Sequence, residues 1–429
     1  MKKLCVIGLG YIGLPTAAMF ANHGWQVQGI DVNQKAIEMI NQGKIHIEEV
    51  GLGELVERAV ANNSLKASTQ IEEADCFIIA VPTPHNEDHT ADLSYVIQAT
   101  KTVLQTVKKG DVVIVESTIP PRTIDDVVAP IFNDAGWSVG EDIYLAHCPE
   151  RVLPGRIIIE LVENNRIIGG FNEISTVKAT EVYSTFVEGD LLQTSALSAE
   201  MSKLMENTYR DVNIALANEL VKISEKLGVD ALEVIKLANH HPRVNLHHPG
   251  PGVGGHCLAV DPYFIIEKAP EEAILIADSR MINNSMPEFV IKQLDRIVPE
   301  LDGKIAILGL TYKGNIDDVR ESPAMDIVNS LLKSRSNLAI FDPHVNQSQV
   351  QFKLSGFEEA IRDAECVVVL TDHNEFKDLD EMKLIQIMKH PLIFDTRNCV
   401  NVTSDKITYI NFGNLKEVAV LNNSGVVSR

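Results

Sequence analysis

The chain has 429 residues and a formal net charge of −21, with 45% apolar and 23% charged residues. A chain of this length exceeds what one hydrophobic core holds, so we expect two or three domains with the composition of an ordinary soluble enzyme. The acidity disfavours nucleic acid and anionic membranes as partners, although a local basic pocket can still bind a phosphorylated substrate. The sequence has no apolar run of membrane-span length, and its six cysteines are scattered without a Cys-x-x-Cys pair. We therefore expect a cytoplasmic protein with reduced thiols.

The first part of the chain alternates short apolar runs with segments of helical spacing. We predict strands over residues 3–8, 26–31, 76–81, 112–116 and 143–147. Strands that alternate with helices indicate an α/β fold in which helices cover both faces of a parallel sheet.

The pattern changes near residue 195. Helical spacing runs over 198–227 and 230–239, and a loop rich in His, Pro and Gly follows over 240–257. The α/β alternation then returns, with strands predicted over 304–310, 337–341, 366–370 and 391–395. We therefore expect two Rossmann-like doubly wound parallel-sheet domains, residues 1–194 and 296–429, joined by a central helical segment, residues 195–295.

A glycine fingerprint follows the first predicted strand and opens a helix. In this setting Gly8 permits the tight turn, Gly10 lets a pyrophosphate approach the backbone, and Gly13 allows close helix packing. Asp31 ends the second strand, where its carboxylate can accept ribose hydroxyls and would repel a 2′-phosphate. The pattern predicts NAD⁺ rather than NADP⁺, and the alternative is a glycine turn kept for packing alone.

Two threonines follow other strands of the same sheet. Thr83 and Thr118 lie in the segments Val81-Pro82-Thr83-Pro84 and Glu116-Ser117-Thr118. Loops at the carboxyl ends of parallel strands line the ligand crevice, so both hydroxyls are candidates for cofactor contacts. Turn formation and helix capping explain them equally well.

The loop that ends at Cys257 is the most informative segment. Its four glycines, between Pro249 and His256, suggest a backbone that must approach another group closely, and a cysteine there can serve as a nucleophile. The alternative is a small loop residue without chemistry. Five histidines lie nearby but lack the spacing of metal ligands, so we predict no metal site; they are His240, His241, His247, His248 and His256.

The helix predicted over 198–227 carries polar residues on one stripe, namely Glu200, Lys203, Asn207 and Arg210. A partly buried lysine can transfer protons or stabilise an oxyanion, and an asparagine can donate to the same oxygen. The alternative is a solvated charged stripe. Glu150 and Asp261 are candidates for orienting water, and each could equally be a cap.

At these residues the sequence resembles the UDP-glucose/GDP-mannose dehydrogenase family over nearly its whole length. The segments that carry the resemblance are 8–15, 82–84, 116–118, 149–151, 199–218, 252–262 and 309–323. Within the family, residues 240–245, 252–257 and 259–262 most resemble the branch that acts on UDP-N-acetyl-D-mannosamine. Val260 stands where members that act on UDP-glucose typically carry lysine.

The resemblance implies a four-electron oxidation at C6 of the sugar in two hydride steps. Cys257 adds to the intermediate aldehyde to give a thiohemiacetal, which is oxidised to a thioester and released by water. Lys203 and Asn207 would stabilise the reacting oxygen, and Asp261 and Glu150 would assist the water steps.

The resemblance also implies binding residues. Those expected at NAD⁺, besides the fingerprint glycines, are Tyr11, Ile12, Asp31, Thr83, Thr118 and Arg320. Those expected at the sugar nucleotide are Arg151, Val152, Lys203, Asn207, Arg210, His241, Arg243, Gly254, Tyr312, Lys313 and Arg397. The C-terminal part would hold the UDP, and the middle helices would form a homodimer or higher oligomer in which the loop around Arg243 reaches the neighbouring subunit's site.

Three other readings stay open at this point. The first is the same chemistry on UDP-N-acetylglucosamine or UDP-glucose. The second is a single-step dehydrogenase of a β-hydroxy acid, which would need neither Cys257 nor a second α/β domain. The third is a non-catalytic dinucleotide or sugar-nucleotide binding protein.

Overall fold

The computed structural model describes residues 2–300 and 302–418, which divide into two compact units. The first comprises residues up to 206 together with 263–270, and the second comprises 207–262 and the residues from 271 onward. Helices α8 (Ala196–Leu227) and α10 (Asp261–Lys268) each contribute residues to both units.

An eight-stranded sheet is the centre of the first unit, with strand order β3-β2-β1-β4-β5-β6-β7-β8. All neighbouring strands are parallel except the β6–β7 pair. Its strands are β1 (Lys3–Ile7), β2 (Gln26–Ile30), β3 (Leu65–Ser68), β4 (Cys76–Ile79), β5 (Val112–Val115), β6 (Tyr144–His147), β7 (Arg166–Gly170) and β8 (Leu191–Ser195).

Helices cover both faces of this sheet. Because successive side chains of a strand point to opposite faces, Leu4 and Val6 of β1 enter one hydrophobic core and Cys5 and Ile7 enter the other. The helices are α1 (Gly13–Asn22), α2 (Gln34–Asn41), α3 (Leu52–Ala61), α4 (Ser94–Val103), α5 (Ala129–Asp134), α6 (Ile157–Glu163) and α7 (Glu173–Tyr183). The predicted doubly wound fold and its five strands are confirmed.

The second unit is built on a five-stranded sheet that is parallel throughout, in the order β10-β9-β11-β12-β13. Its strands are β9 (Ile305–Leu308), β10 (Leu338–Phe341), β11 (Cys366–Val369), β12 (Leu392–Asp395) and β13 (Thr408–Asn411), and three helices accompany them: α13 (Pro323–Ser334), α14 (Phe357–Ile361) and α15 (Glu381–Ile387). The four predicted strands are confirmed.

The helical segment between the sheets supplies part of the second unit's core. Val221 of α8 and Ala231 of α9 (Ala231–Ala238) pack with Leu294 of α12 (Met286–Ile297) against one face of the five-stranded sheet. The helix α11 (Ile274–Asn284) contributes Arg280, which forms a buried ion pair with Asp211 of α8. Among the described helices, none has the length and apolarity that a membrane span requires.

Of the cysteines in or beside strands, one is only partly buried. Cys5, Cys76 and Cys366 are buried, as is Cys148, but Cys399 is only partly buried. It lies in the loop after β12, where its backbone N–H donates to the Asp395 carboxylate instead of entering a strand ladder.

Candidate active site

The glycine loop after β1 packs tightly against its own turn. Gly8 has a φ of 91°, and a side-chain carbon on Gly13 would lie 1.8 Å from the Gly8 carbonyl oxygen. Only glycine allows this approach of helix α1 to the loop. At Gly10, by contrast, no atom of the described residues lies within 4 Å of the position that a Cβ would take. The loop can therefore admit a pyrophosphate against its backbone.

Helix α1 begins directly after this loop. Its N-cap residue is Ile12, whose side chain cannot accept a hydrogen bond, and no cap from a described side chain occurs there. Peptide N–H groups of a first helical turn are natural phosphate donors. Tyr11 is exposed beside them. The residues present therefore fit a dinucleotide at the switch point between β1 and β4.

Asp31 is held rigidly next to the glycine loop. One carboxylate oxygen accepts the N–H of Leu9 at 2.8 Å, and the other accepts the N–H of Asn33 at 2.8 Å. Each oxygen keeps a further lone pair, so ribose hydroxyls can still donate to it. The aspartate thus links the loop after β1 to the end of β2.

The two predicted threonines are brought together by neighbouring strands. The Thr83 hydroxyl donates to the Thr118 carbonyl at 2.6 Å, and the Ser117 hydroxyl donates to the Val81 carbonyl at 2.7 Å. These bonds join the loops that follow β4 and β5. Both threonines therefore lie at the carboxyl edge of the same sheet as the glycine loop.

Glu150 belongs to a buried charged cluster in the first unit. Its carboxylate receives a charge-assisted hydrogen bond from Arg166, whose guanidinium also contacts Glu116 at 3.2 Å. The Tyr183 hydroxyl donates to Glu116 at 2.6 Å. Sequence reasoning missed Arg166 and Tyr183. An arginine next to a run of apolar residues, in Arg166–Gly170, was the signal that could have indicated the first.

Lys203 is partly buried on α8, and its positive charge acts on His147. The His147 ring is fully buried at the end of β6, where its Nδ1–H donates to the Val115 carbonyl at 2.8 Å. Burial, together with the positive charge of Lys203, lowers the pKa of His147 to about 3. The imidazole is therefore neutral beside this ammonium group.

The polar stripe predicted on α8, from Glu200 to Arg210, does not lie wholly at the surface. Glu200 is buried and accepts the backbone N–H groups of Arg122 and Ile124, and burial raises its pKa to about 7. Asn207 is buried as well, and Arg210 is exposed. The alternative of a charged surface face is therefore wrong for Glu200 and Asn207.

Tight packing of the second glycine-rich loop, residues 249–256, positions Cys257 in the second unit. Gly255 has a φ of 85°, and a side chain there would meet the Tyr312 ring at 2.7 Å; one on Gly254 would meet the Glu321 carbonyl at 2.1 Å. Cys257 itself is partly exposed, and its carbonyl accepts the N–H of Asp261 at 2.9 Å. The thiol is thus presented one turn before helix α10.

Asn207 and Asp261 meet directly beside this turn. The Asn207 side-chain amide donates to the Asp261 carboxylate at 2.6 Å, and both side chains are buried. The same turn contains Cys257, so the second unit gathers a thiol, an amide and a carboxylate. This set can add to a carbonyl carbon and donate to the oxygen that becomes charged.

The other predicted substrate residues of the second unit have varied surroundings. Tyr312 is half-buried, and burial, followed by the charge of Asp318, raises its pKa. The Arg397 guanidinium bonds Asp372 at 3.0 Å, and a Cβ on Gly250 would lie 2.6 Å from the same group. The exposed residues are Arg210, His241, Arg243 and Lys313. Arg320, predicted at NAD⁺, is exposed and pairs with Asp318.

Besides Lys203, two predicted substrate residues lie in the first unit. Arg151 forms an ion pair with Glu206 at 2.7 Å. Val152 packs against the hydrophobic core, partly buried. Their contacts with a sugar nucleotide stay predictions.

A group of metal-type ligands occurs at a place that the sequence did not suggest. Among residues 2–300 and 302–418, the ligand atoms of His344, His373 and Glu375 lie within 4.8 Å of one another. The His373 Nδ1 accepts the backbone N–H of Asn315 at 2.9 Å, so its proton sits on Nε2, which faces Asp342 at 3.1 Å. Both ring nitrogens are therefore used by the protein itself.

A Rossmann unit with a dinucleotide loop, a second parallel α/β unit, and a presented cysteine together define a nucleotide-dependent dehydrogenase. Three family models match successive parts of the chain: the NAD binding domain over residues 2–187, the central domain over 197–285, and the UDP binding domain over 306–402. The chain belongs to the UDP-glucose/GDP-mannose dehydrogenase family. It is an NAD-dependent UDP-sugar dehydrogenase.

Individual relatives agree with this assignment. The chain is 48% identical over 409 residues to the UDP-N-acetyl-D-mannosamine dehydrogenase of Methanococcus maripaludis, covering 93% of each chain. A solved structure of the UDP-N-acetyl-mannosamine dehydrogenase of Staphylococcus aureus is 52% identical, with a TM-score of 0.89, and the match covers 97% of this chain and 100% of that one. An NDP-N-acetyl-D-galactosaminuronic acid dehydrogenase of Ralstonia solanacearum is 44% identical, with 92% and 96% covered.

Proposed function

We propose that the protein oxidises C6 of UDP-N-acetyl-D-mannosamine from primary alcohol to carboxylate through a covalent bond to Cys257. The observation that carries the proposal is the presented thiol beside the buried Asn207–Asp261 pair. A single-step alcohol dehydrogenase needs no nucleophile of this kind. NAD⁺, bound at the loop of Gly8 to Gly13, supplies the acceptor for one hydride in each of two oxidations.

Cys257 makes the second oxidation possible. The aldehyde formed first has no good hydride to give, whereas addition of the thiolate to its carbon gives a thiohemiacetal that does. Loss of that hydride leaves a thioester on the sulfur. Water then adds to the thioester carbon and the C–S bond breaks. This regenerates the Cys257 thiolate and releases the carboxylate product.

Asn207 and Lys203 stabilise the sugar oxygen through these steps. They occupy successive turns of α8, and one amide proton of Asn207 is committed to Asp261, which fixes the direction of the other. As a neutral amine the Lys203 side chain accepts the proton of the reacting hydroxyl, and as an ammonium it returns a proton to the oxygen. Glu150 and Asp261 orient the water that releases the acid.

The choice of sugar follows from the relatives and from the motifs near Cys257. Relatives from several archaea and bacteria, at 43–48% identity, are named for UDP-N-acetyl-D-mannosamine. The relative named for an N-acetyl-galactosaminuronic acid has 44% identity, so the configuration of the hexosamine is the most specific part of the proposal. Val260 instead of lysine disfavours UDP-glucose.

A homodimer through the central helices is part of this proposal. Tyr209, Leu216 and Ile223 recur every seven residues on α8 of the second unit, so they lie on one side of the helix, and all three are exposed. An apolar row of this kind suits a second copy of the chain. Sedimentation measurements test it, and a monomer at micromolar concentration would exclude it.

A panel of UDP sugars, assayed for NADH and for acid product, tests the proposed function. We expect the fastest oxidation for UDP-N-acetyl-D-mannosamine and a ratio of two NADH to each sugar consumed. A ratio of one would support a single-step dehydrogenase. Preference for UDP-glucose or UDP-N-acetylglucosamine would overturn the choice of sugar, and the absence of NADH with every sugar would overturn the enzymatic proposal.

A further inference from the structure

We propose that Arg166 is a positioning residue for Glu150, and that the buried Glu116 controls how much of the arginine's charge reaches Glu150. The inference rests on the role of Glu150 in the proposed function. It concerns two groups that the reaction scheme does not use, and all three side chains lie in the first unit.

The guanidinium of Arg166 is fixed from three sides. It lies at the start of β7 with 5% of its surface exposed. One nitrogen donates to Glu150, another contacts Glu116 at 3.2 Å, and the group lies 4.4 Å from the centre of the Tyr183 ring. A planar cation with these contacts cannot turn away from Glu150 without breaking the others.

Glu150 is held at both oxygens. One accepts from Arg166 and the other accepts the backbone N–H of Arg151 at 2.7 Å. Each oxygen retains a lone pair that can accept a proton from water. The arginine therefore sets the direction of the carboxylate.

Glu116 competes for the same cation. It is buried, and it accepts hydrogen bonds from Tyr183 at 2.6 Å and from Thr16 of α1 at 3.3 Å. Burial raises the pKa of Glu116 to about 7; the positive charge of Arg166 opposes this rise, and the negative charge of Glu150 adds to it. Near neutral pH this carboxyl therefore exchanges a proton.

The remaining titratable groups in the cluster, Cys148 and Tyr183, stay neutral near neutral pH. Burial raises the pKa of the Cys148 thiol, which faces Arg166 at 4.0 Å, to about 12, and it raises the pKa of the Tyr183 hydroxyl as well. The cluster thus holds one fixed positive charge and two carboxyls. When Glu116 is protonated the whole charge of Arg166 acts on Glu150, and when Glu116 is ionised the charge is shared.

Two substitutions should shift the acid limb of the pH dependence of kcat in opposite directions. Glu116→Gln removes the competing charge while keeping the size of the side chain, so the limb should move to lower pH. Arg166→Met removes the cation, so the limb should move to higher pH. Arg166→Lys keeps the positive charge but lacks the planar guanidinium. Its acid limb should therefore lie between those of the wild type and Arg166→Met.

Arg335→Lys is the matched control. Arg335 is another buried arginine, paired with Asp295 in the second unit, so its replacement should lower stability and leave the pH limb unchanged. Unchanged limbs in Glu116→Gln and in both Arg166 variants, in an enzyme that still makes two NADH, would overturn the inference and leave the proposed function intact.

A titration without substrate tests the inference independently of activity. Infrared absorption of protonated carboxyls, followed from acid to alkaline pH, identifies Glu116 as the band lost in Glu116→Gln. We expect that band to persist to higher pH in Arg166→Lys than in the wild type. A band that titrates identically in the two proteins would overturn the link between Arg166 and Glu116, whatever sugar the enzyme uses.

Discussion

The side-chain amide of Asn207 donates a 2.6 Å hydrogen bond to the carboxylate of Asp261, and both groups are buried. The bond joins the middle of α8 to the first residue of α10. Because the carbonyl of Cys257 accepts the N–H of Asp261, the same contact fixes the turn that carries the thiol. A helix residue, a carboxylate and the nucleophile therefore form one rigid set.

Replacement of Asn207 by leucine should impair catalysis far more than folding. It removes the Asn207 hydrogen bond to the buried Asp261 carboxylate, which should cost about 1–3 kcal/mol of unfolding free energy. It also removes a donor to the reacting oxygen, so kcat should fall by about two to three orders of magnitude. Thermal unfolding and NADH production measure the two effects.

Asn283→Leu is the control for this variant. Asn283 is another buried amide, and it donates to Asp211 at 2.8 Å. We expect a similar loss of stability with kcat nearly retained. If both variants lose kcat equally, the assigned role of Asn207 is wrong.

Substitution of Gly255 should displace the loop that presents Cys257. Alanine there must adopt a left-handed φ and place its Cβ against the Tyr312 ring, so we expect a fall in kcat of at least about tenfold and a loss of more than about 1 kcal/mol in stability. Gly228→Ala is the matched comparison, because Gly228 also has a positive φ but no described atom lies within 4 Å of its Cβ position. That variant should lose stability only. Equal activity in the two proteins would show that the loop tolerates displacement.

His147 should make the protein sensitive to acid. Its pKa is lowered to about 3 by burial, so the folded state keeps the ring neutral while the unfolded chain protonates it near pH 6.5. This contribution to stability is complete above pH 6.5 and is lost as the pH falls toward 3, at about 1.4 kcal/mol per pH unit. Denaturant unfolding of His147→Leu at several pH values should show a shallower acid dependence. Parallel curves for the two proteins would contradict the buried neutral ring.

Asp31 should determine the choice of dinucleotide. Asp31→Ala removes the acceptor for ribose hydroxyls and the charge that repels a 2′-phosphate, so KM for NAD⁺ should rise about tenfold or more while the ratio of kcat/KM for NADP⁺ to that for NAD⁺ increases. Initial rates with both cofactors measure this. An unchanged ratio would mean that other residues discriminate between them.

The parts of this fold that sequence predicts are those with a local signal. The glycine loop, Asp31 and the long helix α8 follow from neighbouring residues, and the structure contains a 32-residue helix over Ala196–Leu227. The strands β3, β7, β8 and β13 were not predicted. Three of them, β3, β8 and β13, are short edge strands without a continuous buried run, whereas β7 is an inner strand whose only antiparallel neighbour is β6. Edge strands are specified by their partners, which lie far away in the chain.

The candidate site shows the same limit. The glycine-rich setting made Cys257 a candidate nucleophile, and helical spacing made Lys203 and Asn207 candidates for the same site. The partners Arg166 and Tyr183 were missed, because their contacts with Glu116 span 50 and 67 residues of sequence. No local pattern indicates which buried carboxyl a distant arginine will meet.

The covalent bond to Cys257 is tested most directly by mass spectrometry of the enzyme quenched during turnover with NAD⁺ and the UDP sugar. We expect a sugar-nucleotide adduct on the peptide that contains Cys257, with turnover to the acid abolished in Cys257→Ser. Cys399→Ser is the control, because Cys399 is the other partly exposed cysteine, and it should retain both adduct and turnover. Full acid production by Cys257→Ser, with no adduct in the wild type, would contradict the account.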